Sequence, residues 1–230
     1  MIHNVDHIII FVEDLESAEQ NYIKIFGIDP VWRGIHKELG TSNILFNFEN
    51  TYLELLAATS NGIGADLVNQ SIKDNGEGLA GLVLGTKDIN LFRENIIKSG
   101  FTLSEISKGE GINEKNEQRE WLLQFFPHEL TRGLFSFVVE HKSAGLPLME
   151  RNKSAIKKLE QVVIKTNDAD GFIQVYRDIF GIRLALDKFV EVWKKRILFF
   201  RLNKTTIEVI EEINDRVSPS DSLWGLAWGV

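Results

Sequence analysis

A carboxylate stands where a strand reads as buried on both faces. In "NTYLELLA", residues 50–57, alternate side chains share a face, so Tyr52, Glu54 and Leu56 point one way and Thr51, Leu53 and Leu55 the other. Both sets are largely apolar, and a carboxylate there must be paired, protonated or bound to a cation. Other residues have the type and setting for chemistry. His7 lies in the apolar run "HIIIFV", and Glu140 and His141 end the run "LFSFVVEH". Strand alternation gives Glu140 and His141 opposite faces and points His141 to solvent. His36 lies in "GIHKELGTSN" among Gly34, Gly40, Thr41 and Asn43, a segment of turn formers and hydrogen-bonding side chains. An imidazole with a free pKa near neutrality suits proton transfer. The chain has no cysteine, so it has no thiolate nucleophile and no disulfide, and a metal would have to be held by His, Asp or Glu.

The chain of 230 residues is 43% hydrophobic and 26% charged, enough for one large domain or two small ones with a sizeable core. A formal net charge of -7 without a basic cluster argues against nucleic acid and mildly favours a cationic ligand. No apolar run spans a bilayer and no signal peptide opens the chain, so a cytoplasmic protein without membrane contact is expected. A G-x-G-x-x-G loop, His-Glu-x-x-His, a nucleophile elbow and a Walker motif are all absent.

The elements that would position these side chains repeat. Residues 6–28 align without gaps to residues 160–182, with eight of 23 positions identical and an offset of 154. The same offset carries Glu54 onto Glu208 in "TTIEVIEE" and His7 onto Gln161. Each copy reads as an apolar strand, an Asp N-cap (Asp14 or Asp168), an amphipathic helix and a glycine stop (Gly27 or Gly181). In the first helix the apolar stripe is Leu15, Ala18, Tyr22 and Ile25. Three strands follow, near 30–33, 42–48 and 51–57 in the first copy. A weaker copy at 79–141 has the cap Asp88, the stop Gly100 and strands at 119–126 and 134–141, with a charged loop at 104–118. "SLWGLAWGV", 222–230, matches the first strand of that copy, so a fourth unit begins and stops. The expected division is 1–146, with units at 1–60 and 78–142, and 155–230, a third unit plus the first strand of a truncated fourth.

Repeated βαβββ units with a Glu in the last strand resemble the vicinal oxygen chelate superfamily, an α+β class with the glyoxalase/bleomycin-resistance/dioxygenase-like fold. The stretches "VDHIIIFVEDLESA", "GIHKELGTSNILF", "TYLELLA" and "REWLLQFFP…LFSFVVEH" are most similar to its glyoxalase-like branch. The resemblance implies paired units whose sheets enclose a cup, often with a divalent metal inside. It implies metal ligands at His7, Glu54 and Glu140, with Gly81 at the fourth position, where no side chain can bind. Such a set would suit Zn, Ni, Mn or Fe(II), although a cup without metal is the open alternative. Catalytic roles fall to His36, Glu54 and Glu140. Trp32, Thr41, Asn43, Trp121 and Phe125 are expected to meet a small-molecule ligand.

The implied function is metal-dependent chemistry of the lyase, isomerase or dioxygenase type on a molecule chelated through adjacent oxygens. The competing expectation is a non-catalytic binding protein of the bleomycin-resistance type. The second half lacks its partner unit, so Glu208 is expected in a hydrogen bond or salt bridge, and the open face of its sheet in a homodimer.

Overall fold

The structure, a computed structural model, describes residues 1–150, 153–212 and 218–230. Asp14 opens helix α1 (Leu15–Phe26) by accepting a hydrogen bond from the Ser17 amide, and Gly27 closes it in the left-handed conformation at φ 68°. Its inward stripe is Leu15, Ala18, Tyr22 and Phe26, and Ile25 is exposed rather than buried. Strand β1 (Ile2–Phe11) precedes it; β2 (Trp32–His36), β3 (Thr41–Asn47) and β4 (Tyr52–Ala58) follow. His36 is therefore the last residue of a strand, not a loop residue.

The second unit repeats this plan. Helix α2 (Ile63–Asn75) links the units, and β5 (Gly78–Thr86) leads to α3 (Ile89–Lys98), which Asp88 caps. The expected charged loop instead holds strand β6 (Ser107–Asn113), which pairs in a hairpin with β7 (Gln118–Phe125), the strand expected near 119–126; a short turn of helix, α4 (His128–Thr131), then leads to β8 (Phe135–His141). These eight strands close a barrel in the order β1-β4-β3-β2-β6-β7-β8-β5. The β2–β6 seam rests on Gly34 opposite Asn113 and Ile35 opposite Ile112, whereas β1 and β4 stay in register from His7/Tyr52 to Phe11/Leu56.

The third unit runs β9 (Lys158–Thr166), α5 (Ala169–Ile173) with a π-helical continuation over Gln174–Ile179, β10 (Arg183–Val190), β11 (Lys195–Leu202) and β12 (Thr205–Glu211). Strand β13 (Asp221–Gly229) pairs antiparallel with β9, as β5 does with β1: Gly225 faces Val163 just as Gly81 faces Ile9. The result is an open five-stranded sheet, β10-β11-β12-β9-β13.

Barrel and sheet share one core. Phe26 and Phe48 pack on Trp228, and Phe92 and Phe126 on Phe180. Two buried polar clasps cross the same boundary. The Asn50 amide donates to the Leu159 carbonyl and the Thr205 hydroxyl and accepts from the Leu159 amide. The Arg132 guanidinium donates to Asp221, Asp168 and Thr166. The sheet's other face is open. There Glu208 makes no hydrogen bond or ion pair among the described residues, contrary to expectation, and burial pushes its carboxyl pKa up.

Candidate functional site

The barrel encloses a cavity of about 540 Å³ whose lining includes His7, His36, Asn43, Glu54, Arg119 and His141. Its floor is one continuous chain of hydrogen bonds and an ion pair. The Asp6 carboxylate accepts from His141 Nε2 at 3.0 Å and from His7 Nδ1 at 2.7 Å. His7 Nε2 stands 3.3 Å from Glu54 Oε2 as an ion pair, and Asn43 Nδ2 donates to Glu54 Oε1 at 2.7 Å. The same Asn43 nitrogen faces His36 Nε2 at 3.3 Å, and His36 Nδ1 meets the Thr41 hydroxyl at 3.0 Å. Glu54 is therefore buried with two partners, which resolves why the strand tolerates it.

Local strand geometry sets each member. The register of β1 against β5 shifts between Val5 and His7, so Asp6 falls in an irregularity of the ladder and turns in beside His7. Tyr52 lies opposite His7 on β4 and stacks on it at 4.5 Å with the rings 15° apart. Gly34 and Gly109 leave room for tryptophans: a methyl group on either would stand 2.2 Å from the indole nitrogen of Trp32 or Trp121.

The electrostatics split the two central histidines. Burial alone would lower His7, but Asp6 and Glu54 outweigh it and raise its pKa above the usual 6.5. Burial lowers His36 and wins, despite attraction from Glu54. Burial would raise Glu54 and Asp6, but hydrogen bonds from His7, with Asn43 or His141, hold both carboxyls below their ordinary range. At neutral pH His36 is the uncharged imidazole, with Nε2 accepting from Asn43 and Nδ1–H donating to Thr41.

Trp32, Thr41, Asn43, Trp121 and Phe125 line the cavity with the histidines. Glu140 does not join them. It accepts from the Ile89 amide at 2.9 Å and from Lys142, at the start of α3 and outside the cavity. In β8 the inward residues are Phe135, Phe137, Val139 and His141, so His141 faces the cup and Glu140 the opposite side, the reverse of the expectation for His141. The set His7, Glu54 and Glu140 is thus not brought together.

Matching the caps Asp14 and Asp88 brings His7 onto Gly81. The β1–β4 register then brings Glu54 onto Phe137, since Tyr52 faces His7 as Phe135 faces Gly81. Only two of the four ligand positions carry donors, and those two bond each other. Among the described residues no group of three His, Asp or Glu is arranged to hold a metal ion. The donors present do not fit the expected metal.

Sequence reasoning missed Asp6, Tyr52 and Arg119. Asp6 hides behind the ladder irregularity, which alternation cannot register. Arg119 shares the strand parity of Trp121 and Phe125, and that was the available signal.

Helix α2 also lies along the cavity, through Ile63, Gly64, Leu67 and Val68. Among the described residues no helix is long and apolar enough to cross a membrane.

The comparisons with known proteins agree with this architecture. A hypothetical protein from Staphylococcus aureus superposes with a TM-score of 0.70 at 16% identity, covering 92% of this chain and 87% of that one. A mutant 4-hydroxymandelate synthase from Streptomyces coelicolor gives 0.63 at 13%, covering 99% and 71%. A methylmalonyl-CoA epimerase in complex with methylmalonyl-CoA gives 0.50 at 19%, covering 64% and 100%. At these identities the likeness shows the fold alone. No curated protein matches the sequence. The model of the glyoxalase-like domain matches residues 5–180, most of the chain, and the chain belongs to that family.

Proposed function

We propose that the cup binds a small organic molecule and exchanges a proton with it through His36, without the metal that the fold suggests. The observation that carries this reading is the buried chain from Thr41 through His36, Asn43, Glu54 and His7 to Asp6, at the floor of a largely apolar cavity. Glu54 is a poor base, because its partners hold it ionised at low pKa. His36 is the better one: neutral, buried, and engaged at Nε2 only by a long contact to Asn43. A C–H next to a carbonyl would give its proton to His36 Nε2, with the electron pair moving onto the carbonyl oxygen. The imidazolium so formed is stabilised by the Glu54 charge held behind Asn43.

A specific feature favours a second reading. Gly81 and Phe137 stand where donors are expected, and Trp32, Trp121 and Phe125 make an aromatic wall, which suits simple sequestration. Incubating the protein in D2O with a panel of small carbonyl compounds, followed by proton NMR, separates the two. Exchange of an α-proton that disappears in His36→Gln and weakens in Glu54→Gln supports proton transfer. Binding without exchange of any α-proton overturns it in favour of sequestration.

A further inference from the structure

We infer that the ligand of the cup is a small carboxylate with an apolar body, and that Arg119 is its anchor. The inference deepens the small-molecule reading of the cup and concerns binding alone. Arg119 lies on β7 with its guanidinium carbon 5.6 Å from the ring centres of both Trp32 and Tyr52. Its Nε is buried and has no hydrogen-bond partner, and Arg119 forms no ion pair with any described residue. The other buried or half-buried arginines among the described residues are satisfied: Arg132 by Asp221, Asp168 and Thr166, Arg196 by Asp187 and Arg93 by the Ser104 carbonyl.

The carboxylates nearest the cavity floor are already engaged. Asp6 serves His7 and His141, and Glu54 serves His7 and Asn43. A guanidinium held by two aromatic faces, with its donors unspent, is a site for an anion that arrives from outside. Tyr52 touches both this cation, at 5.6 Å, and the His7 ring, at 4.5 Å, so the carboxylate end would sit one aromatic ring away from the relay. The wall of Trp121, Leu123 and Phe125 continues from Arg119 along the same strand face and offers the apolar body its place. A planar guanidinium fork with its donors unspent matches the two oxygens of a monoanionic carboxylate, and Lys37, Lys108 and the first turn of α2 also line the cavity. The unpaired guanidinium, rather than the net charge of -7, thus sets the preference at this point of a cavity whose lining also holds Lys37, Lys108, Glu38 and Glu110.

The test is titration of the intact protein with 3-phenylpropionate and with its uncharged amide, read by the indole N–H signal of Trp32 in NMR and by calorimetry. The acid should bind about tenfold or more tightly than the amide, as a charge-assisted hydrogen bond provides. Arg119→Gln should erase that preference, and Arg119→Lys should keep part of it with an unchanged melting temperature. Equal binding of acid and amide, a preference that survives Arg119→Gln, or no binding of either at millimolar concentration would overturn the inference. Inorganic phosphate displacing the acid at equal concentration would overturn the assignment to carboxylates. Because 3-phenylpropionate is read only by binding, absence of proton exchange leaves this result standing.

Discussion

At the residue scale, the two central histidines are set apart by their surroundings, and that separation is measurable. In a proton NMR titration, His7 is expected to titrate above 6.5 and His36 below it. The stability consequences have opposite signs. The raised pKa of His7 contributes stability in full below 6.5, lost as pH climbs through its folded value. The lowered pKa of His36 costs stability as pH falls below 6.5, because the unfolded chain takes up that proton more readily. Replacing His36 by Gln should therefore flatten the loss of stability between pH 6.5 and 5; an unchanged slope would show that His36 is not the buried neutral group. The metal is addressed at the same scale. Adding Zn, Ni or Mn to protein purified without chelator should leave the melting temperature and the His7 signals where they were. One-to-one saturable binding that Glu54→Gln weakens would reinstate the metal.

At the element scale, what the sequence disclosed depended on how local the determining chemistry was. The caps Asp14, Asp88 and Asp168 and the stops Gly27, Gly100 and Gly181 are read from neighbours in the chain, and helices begin and end at them. Strand β6, "SKGEGIN", could not be read that way. Its polar residues and glycines look like a loop, and it is a strand because β7 pairs with it and Gly109 leaves room for the Trp121 indole. Helix α2 also escaped notice, since it is anchored from afar: the Ala65 amide donates to the Leu39 carbonyl, and Gly40 turns at φ 73° against the backbone of Asn61. Glu140 was placed on the wrong face because a strand's parity is fixed by its partner's register, here Trp121 opposite His141. Gly40→Ala should cost about 1–3 kcal/mol from the left-handed backbone alone, and should loosen α2 from the cup, seen as faster proteolysis near residue 62. Arg132→Ala leaves Asp221 buried without its partner and should cost about 3–5 kcal/mol in denaturant unfolding.

At the scale of the whole molecule, the open face of the second sheet carries Trp224, 61% exposed beneath Lys165, and the β10–β11 turn carries Val192 and Trp193, 90% and 63% exposed. A second copy covering these residues would bury a patch that solitary proteins rarely leave bare. Light scattering at micromolar concentration is expected to give a dimer that Trp193→Glu with Trp224→Glu dissociates; a monomer for the unaltered protein would dismiss the interface. The barrel has one thin place of its own. Between β2 and β6 only Gly34/Asn113 and Ile35/Ile112 hold the wall, beside His36 and Trp121, while α2 runs along another side of the cavity. Ile35, Ile63 and Phe125 line the cavity and are exposed, so the cup opens to solvent without any parting of strands, and the thin seam is where its wall should fluctuate first. Deuterium should enter the amides of Ile35 and Ile112 sooner than those of Ile9 and Leu55, and an occupant of the cup should slow it.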